Sequence, residues 1–302
     1  MPDPRTAEIF LPGGRIGVYL IHGLTGTPTE MLTVAKRLHR RGFTVSCPVL
    51  TGHCGSTEDL LATGWKDWAR SAEEGFLRLC ALTDVRFVGG LSAGAVLCLH
   101  LARAHPDKVR AMALYSITLK WNGWSIPRLS FLLPLVLRLP YIGSRYRFVE
   151  AFPYGIKNEH LRRRIVAKMR SGDTASAGHT DTPGVIVREL RRLVDNIKKD
   201  LANIHTPALL VHADRDDIAG PRGNALYVRE HLAGPTELLL LHDSYHMITV
   251  DQERHKVAEA TARFFRARLT PEEGAELART AADPLLPEDE TPDGENQAKA
   301  GA

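Results

Sequence analysis

Short apolar runs alternate with amphipathic stretches along most of the chain. Apolar runs bounded by glycine, proline or polar residues are typical of buried strands, and an apolar face that repeats every three to four residues is typical of a helix. The predicted strands are 16–21, 44–49, a run beginning at 85, 109–116, 208–212 and 236–241. This alternation predicts an α/β fold with a mainly parallel, doubly wound sheet of about six strands, whose reactive groups gather at the carboxyl ends of the strands.

The clearest predicted helix start lies after the first strand. Thr27 is an N-cap candidate, Pro28 suits the first helical position, and Glu30 stands three residues after the cap, which together predict a capping box. Gly42 follows the last residue of the apolar helix face and predicts its end. Further helices are predicted over 65–82 and around 257–269.

The interval 118–188 interrupts this alternation. It contains an apolar run, 129–142, that is broken by two prolines and an arginine, and a stretch rich in arginine and lysine follows it. We interpret the interval as a mostly helical cap inserted over the sheet. The predicted organisation is a core formed by 1–117 and 189–269, a cap at 118–188, and a C-terminal tail at 270–302.

Charge separates the tail from the rest of the chain. From Pro271 onward there are nine acidic residues and two basic ones. The rest of the chain is therefore strongly basic, although the net charge of the whole chain is only +4. The tail is also rich in proline, and we expect it to be disordered. The four cysteines show neither paired nor metal-ligand spacing, which favours reduced thiols. The first residues do not have the pattern of a signal peptide, so we expect a cytoplasmic protein.

The strongest chemical motif is Gly-x-Ser-x-Gly at 90–94, which follows a predicted strand and opens a predicted helix. A sharp strand-to-helix turn exposes the Ser92 hydroxyl at the end of the sheet and places the Ala93 N–H beside it. Side chains two residues before and after the serine would collide at such a turn, which explains Gly90 and Gly94. We therefore predict that Ser92 is a nucleophile and Ala93 N–H a donor to an oxyanion.

A serine nucleophile needs a base and an acid partner, which follow it in the order Ser, Asp, His in this kind of fold. His246 lies between the last predicted strand and the last helix, and His242 is its competitor in that loop. Three carboxylates follow the preceding strand, at Asp214, Asp216 and Asp217. Spacing alone leaves the choice among these three open. Asp251 is interpreted as an N-cap of the last helix.

The loop after the first strand should supply the second oxyanion donor. The backbone N–H of Leu24, directly after His22 and Gly23, is placed for this role. We interpret His22 as a residue that orders the loop and His53 as a structural loop residue, rather than as catalysts or ligands.

The combined motifs resemble those of small bacterial carboxylesterases related to monoacylglycerol lipases. They are residues 22–28, Gly52-His53, Thr63-Gly64-Trp65-Lys66-Asp67-Trp68, 89–94 and 243–251. The resemblance spans about 16–265 and implies an α/β-hydrolase fold with a Ser92, Asp216 and His246 triad and an oxyanion hole of Leu24 and Ala93. Cys54 departs from the glycine usual in this family, and Ala93 and Ala95 replace a bulkier residue and a glycine.

These features predict a hydrolase that cleaves small carboxylic esters through an acyl-enzyme, with no cofactor or metal and no nucleic-acid partner. A thioesterase or acyltransferase would use the same triad, and the basic cap would suit anionic thioesters. A non-catalytic binding protein of this fold is a further alternative. The apolar run 129–142 motivates one more hypothesis, a cap that makes weak contact with a membrane surface.

Overall fold

A seven-stranded sheet forms the centre of the protein in a computed structural model, which describes residues 7–127, 146–149, 151–170, 174, 178–179 and 181–281. In chain order the strands of this sheet and of a second, two-stranded sheet are β1 (Ile9–Leu11), β2 (Ile16–Ile21), β3 (Thr44–Cys47), β4 (Val85–Leu91), β5 (Ala111–Tyr115), β6 (Arg147–Val149), β7 (Asp181–Pro183), β8 (Ala208–Ala213) and β9 (Thr236–Leu241). The sheet order is β1-β3-β2-β4-β5-β8-β9, while β6 and β7 form a separate antiparallel pair.

All neighbouring strands of the large sheet are parallel except β1, which pairs antiparallel with β3. The predicted parallel α/β sheet is confirmed, with one additional strand. The sequence does not predict β1, because three residues at a partly exposed edge give no periodic signal.

Helices cover both faces of the sheet. They are α1 (Leu32–Arg40), α2 (Thr57–Leu61), α3 (Trp65–Cys80), α4 (Ala93–Ala104), α5 (Glu159–Arg170), α6 (Gly184–Lys198), α7 (Ala225–His231), α8 (Arg254–Arg266) and α9 (Pro271–Ala281). Side chains of α3, α4, α6 and α7 share one apolar core, and those of α1, α8 and α9 share the other. The central strands are buried on both faces, so their carboxyl ends are held rigidly.

The predicted capping box is only half correct. A 3-10 turn, Pro28–Met31, precedes α1, and the Thr27 side chain makes no capping hydrogen bond. Its hydroxyl bonds to that of Thr29 instead. The Glu30 carboxyl does accept the Thr27 N–H, but it also reaches back to the loop after β2.

The beginning of the predicted disordered tail is helical. Leu277 of α9 is buried in the same apolar core as α1, and Glu273 forms an ion pair with Arg110. The apolar contact explains why an acidic segment is ordered here. Residues 282–302, the rest of the predicted tail, lie outside the described residues.

The described parts of the 118–188 interval include β6, β7, α5 and the start of α6. The apolar run 129–142 lies outside the described residues. No helix in the described part of the chain combines the length and hydrophobicity that crossing a bilayer requires.

Candidate active site

Ser92 occupies a sharp turn between β4 and α4. Its φ is +56°, in the left-handed region that non-glycine residues rarely adopt. A Cβ at position 90 would lie 2.4 Å from the Gly94 carbonyl, and a Cβ at position 94 would lie 2.3 Å from the Ile21 oxygen. The two glycines are therefore required by contact with backbone, as the motif predicted.

The Ser92 hydroxyl lies beside Thr118, which follows β5. Their side-chain oxygens are 3.0 Å apart, and the Thr118 hydroxyl also donates to the Ser116 carbonyl. Since the proton of Thr118 is directed to Ser116, its oxygen is free to accept the Ser92 proton. The sequence does not point to Thr118, because a lone threonine after a strand carries no distinguishing pattern.

His246 and Asp216 meet at the carboxyl edge of the sheet. His246 Nδ1 is 2.8 Å from Asp216 Oδ2, and both side chains are almost completely buried. The other carboxylate oxygen of Asp216 accepts the N–H groups of Ile218 and Ala219 at 2.8 and 2.7 Å. An ionised carboxylate can only accept a hydrogen bond, so Nδ1 must be the donor. In the neutral imidazole the proton therefore lies on Nδ1 and the lone pair lies on Nε2.

The electrostatics of this pair favour separated charges. Burial lowers the pKa of His246, but the Asp216 and Asp217 carboxylates outweigh burial and raise the pKa above its usual 6.5. Burial raises the pKa of Asp216, but the adjacent imidazole outweighs it and leaves this pKa below the usual 3.8. An imidazolium formed during a reaction is therefore stabilised by its surroundings.

The three candidate carboxylates have different environments. Asp214 pairs with the exposed His242, with 2.7 Å between Oδ2 and Nδ1. Asp217 is buried and accepts the backbone N–H of His246 at 3.1 Å. Asp216 thus holds the ring of His246, and Asp217 holds its backbone.

Asp251 does not have the predicted role of N-cap. Helix α8 begins after Glu253, and the Asp251 carboxylate accepts three backbone N–H groups instead. These belong to Tyr245 at 2.9 Å, Lys157 at 2.7 Å and Asn158 at 2.9 Å. Asp251 therefore joins the histidine loop to the interval predicted as a cap.

The loop after β2 is held on several sides. His22 Nε2 accepts the Leu50 N–H at 3.2 Å, so its Nδ1 carries the proton and donates to the Gly23 carbonyl at 2.9 Å. Burial lowers the pKa of His22 to about 4 and keeps it neutral. The predicted loop-ordering role of His22 is consistent with these bonds. Among the described residues, no hydrogen bond uses the N–H groups of Leu24 and Ala93.

His53 is structural in its contacts, as predicted. It is buried between His22 and Trp68, and its Nδ1 bonds to the Thr51 carbonyl. Burial lowers the pKa of His53 to about 3, so the neutral imidazole is favoured at neutral pH. Among the described residues, no three His, Cys, Asp or Glu side chains are grouped as metal ligands.

The end of the 118–188 interval touches the loop after β2 directly. The His179 N–H donates to the Thr25 carbonyl at 3.0 Å, and a Cβ at Gly178 would lie 2.5 Å from the same oxygen. Thr174 donates to the Gly55 carbonyl at 3.1 Å. These contacts place the segment against the loops that follow β2 and β3.

The sheet order, the serine turn and the buried imidazole–carboxylate pair define an α/β hydrolase. The chain belongs to the family described as "Serine aminopeptidase, S33", which it matches over residues 15–253.

Two characterised relatives span nearly the same length. The chain is 30% identical over 257 residues to a thermostable monoacylglycerol lipase of Bacillus sp. (strain H-257), covering 85% of this chain and 92% of the lipase. It is 24% identical over 269 residues to a carboxylesterase of Bacillus subtilis (strain 168), covering 87% of this chain and 96% of the esterase.

Solved structures agree with the fold. One, described with the metagenome-derived lipolytic enzymes LipS and LipT, has a TM-score of 0.74 at 24% identity and covers 87% of this chain and 98% of its own. The monoacylglycerol lipase of Paleococcus ferrophilus has a TM-score of 0.70 at 18% identity, with the same two coverages.

Proposed function

We propose that this enzyme hydrolyses carboxylic esters of small alcohols, such as monoacylglycerols, with Ser92, His246 and Asp216 as its catalytic triad. The observation that carries the proposal is the buried 2.8 Å contact between His246 Nδ1 and Asp216 Oδ2, at the sheet edge where the strained Ser92 turn ends β4. The two relatives, a monoacylglycerol lipase and a carboxylesterase, support the substrate class.

In the proposed first step, the Ser92 hydroxyl turns from Thr118 towards His246. His246 Nε2 takes its proton while Oγ attacks the ester carbonyl, and the Leu24 and Ala93 N–H groups stabilise the oxyanion. Asp216 stabilises the imidazolium without accepting its proton. The tetrahedral intermediate collapses, the C–O bond breaks, and the alcohol leaves with the proton from His246.

In the second step, water attacks the acyl-enzyme. His246 takes a proton from the water as the new C–O bond forms, and the second tetrahedral intermediate collapses to the carboxylic acid. The proton returns to Ser92 Oγ, which restores the free enzyme.

We also propose that the 118–188 interval acts as a cap that shapes the acyl and alcohol sites. The Met247 N–H, next to His246, donates to the Gly155 carbonyl at 2.8 Å, and Gly178 contacts the carbonyl of Thr25, next to Leu24. These two contacts support an interval that borders both the proposed triad and the proposed oxyanion donor.

The test combines p-nitrophenyl ester hydrolysis with fluorophosphonate labelling of wild-type protein and the variants Ser92→Ala and His246→Ala. We expect wild type to turn over and to be labelled, and both variants to lose at least about 10³-fold in kcat. A Ser92→Ala variant that keeps wild-type turnover would reject the proposal.

Substrate class is tested at matched acyl length with a glyceryl ester, an acyl-coenzyme A and an amino-acid p-nitroanilide. We expect the highest kcat/KM for the glyceryl ester. A preference for the thioester or for the anilide would replace the proposed substrate class by a thioesterase or an aminopeptidase, the second being the activity in the family's description. Stoichiometric binding without product would indicate a binding protein.

A further inference from the structure

Glu30 carries a half-buried carboxyl beside the loop that follows β2. Its Oε2 accepts the Gly23 N–H at 2.9 Å, seven residues earlier in the chain. The same carboxyl accepts the Thr27 N–H at the start of the 3-10 turn. The side chain therefore ties the start of the helix to the loop in front of it.

The carboxyl fits tightly between two glycines. A Cβ at Gly26 would overlap Oε1 at 1.9 Å, and a Cβ at Gly23 would lie 3.2 Å from Oε2. Burial raises the pKa of Glu30 to about 7, although the two N–H groups and the nearby His246 act to lower it. Withdrawing a carboxyl from water even in part is costly, and a helix start does not require it. The fit between Gly23 and Gly26 shows that this carboxyl contacts the loop as well as the helix start.

Gly23 is also close to the reacting group. A Cβ built on it would lie 3.8 Å from Ser92 Cβ and 3.8 Å from the Leu91 carbonyl oxygen. A glycine at this position rotates freely about φ and ψ unless its neighbouring peptide groups are held. Here both are held, one by Glu30 and the other by His22.

The geometry of the peptide group connects these bonds to Leu24. The Gly23 carbonyl accepts from His22 Nδ1 at 2.9 Å and from the Gly26 N–H at 3.2 Å. In a trans peptide the C=O of Gly23 and the N–H of Leu24 lie in one plane and point in opposite directions. Fixing the two peptide groups around Gly23 therefore fixes the direction of the Leu24 N–H.

We propose that Glu30 is a positioning residue for ester hydrolysis, which holds the Gly23 N–H so that the Leu24 N–H points at the oxyanion. This inference rests on the proposed function, in which the Leu24 N–H is an oxyanion donor. The oxyanion exists only in the transition state and the intermediates, so a misaligned donor lowers kcat and leaves ground-state binding unchanged.

Three substitutions at position 30 separate this role from simple structural support. Glu30→Gln keeps an oxygen that accepts the Gly23 N–H, Glu30→Asp withdraws the carboxyl by one methylene group, and Glu30→Ala removes it. The matched control is Asp67→Ala, because Asp67 accepts the Gly64 N–H at 3.0 Å at the start of α3. That bond has the same chemistry in a different part of the fold.

We expect kcat to fall roughly 10- to 100-fold in Glu30→Ala and Glu30→Asp, less than the loss of a whole oxyanion donor, with KM within about twofold of wild type. Glu30→Gln should stay within about fivefold of wild type in kcat, and Asp67→Ala within about twofold. A trifluoromethyl ketone, which forms a tetrahedral oxyanion on the serine, should bind more weakly by the same factor as the fall in kcat/KM.

Equal losses in the Gln and Ala variants, an unchanged kcat in Glu30→Asp, or a rise in KM at unchanged kcat would each overturn the inference. If Glu30→Ala does not fold, the comparison of Glu30→Asp with Glu30→Gln decides. The Ser92→Ala variant distinguishes failure of this inference from failure of the proposed function. Activity retained without Ser92 would reject the mechanism itself, whereas an inactive Ser92→Ala beside fully active Glu30 variants would reject only the role of Glu30.

Discussion

The Asp217 carboxylate accepts the backbone N–H of His246 at 3.1 Å, and its second oxygen accepts the Gly155 N–H, also at 3.1 Å. Two adjacent acids thus support one histidine, since Asp216 holds the ring and Asp217 holds the main chain. Gly155 has a φ of +68°, and a Cβ there would lie 3.2 Å from the Cβ of His246. The position of the histidine is therefore coupled to the segment that contains Gly155.

Asp216→Asn should lower kcat by about 10²- to 10⁴-fold, because an amide cannot stabilise the imidazolium and disturbs its tautomer. Asp214→Asn is the control, since Asp214 pairs with the exposed His242. Its kcat should stay within about twofold of wild type, as expected for an exposed pair. Ester hydrolysis measured at saturating substrate compares the two. Equal losses would show that the acid has been wrongly assigned.

Asp217→Asn should affect folding more than chemistry. An amide offers one acceptor where the carboxylate now serves two backbone N–H groups, so one buried donor is left unsatisfied. We expect a loss of about 1–3 kcal/mol in the free energy of unfolding and a smaller fall in kcat than in Asp216→Asn. Urea denaturation followed by circular dichroism measures the first quantity. A kcat loss larger than that of Asp216→Asn would contradict this division of roles.

The pH dependence of kcat/KM should report the state of His246. The imidazole acts as a base only when neutral, so activity should rise as pH increases through its pKa. Because Asp216 and Asp217 outweigh burial and raise this pKa, the midpoint should lie above 6.5. Removing the negative charge in Asp216→Asn should move the midpoint of its residual activity to lower pH, whereas Asp214→Asn should leave it in place. A midpoint that moves upward in Asp216→Asn would contradict the assignment.

Thr118→Val should increase the rate at which a fluorophosphonate labels Ser92. The valine keeps the shape of the side chain but removes the hydroxyl that bonds to Ser92 Oγ at 3.0 Å. In the proposed mechanism that bond breaks before the serine turns to His246, and a bond of about 1 kcal/mol corresponds to about a fivefold change in rate. The second-order labelling rate constant measures the effect. A slower rate would show instead that Thr118 assists the attack.

Gly94→Ala should disrupt the serine turn, because the added Cβ would meet backbone atoms of β2 and its following loop at 2.3 and 2.6 Å. We expect a loss of at least about 1–3 kcal/mol in the free energy of unfolding, together with loss of labelling. Gly274→Ala in α9 is the matched control, since nothing lies within 4 Å of the Cβ position. It should raise stability by up to about 1 kcal/mol. Similar stability changes in the two variants would refute the steric argument.

The sequence was most informative where one local signal dominates. The alternation of apolar runs predicted the parallel sheet, and the crowded serine turn predicted the need for Gly90 and Gly94. Both depend on contacts within a short stretch of chain. The predicted triad and oxyanion donors remain proposals until the variants are measured.

Tertiary contacts account for the features that the sequence analysis missed. The acidic composition of 270–302 favoured disorder, but the burial of Leu277 in the apolar core that it shares with α1 explains the helix up to residue 281. Asp251 and Glu30 both have the sequence positions of helix caps, yet their carboxylates reach distant backbone N–H groups. A local pattern identifies a carboxylate near a helix start, but only the fold determines which donor it meets.

The hydrogen bond from His179 to Thr25 has a consequence for how substrate range can be changed in this enzyme. Thr25 is the residue next to Leu24. The hydrogen bond that holds the end of the proposed cap therefore lies beside the proposed oxyanion donor. A chimaera that exchanges this region for that of a relative would alter turnover as well as selectivity. To change selectivity alone, the splice should leave Gly178 and His179 with the parent scaffold.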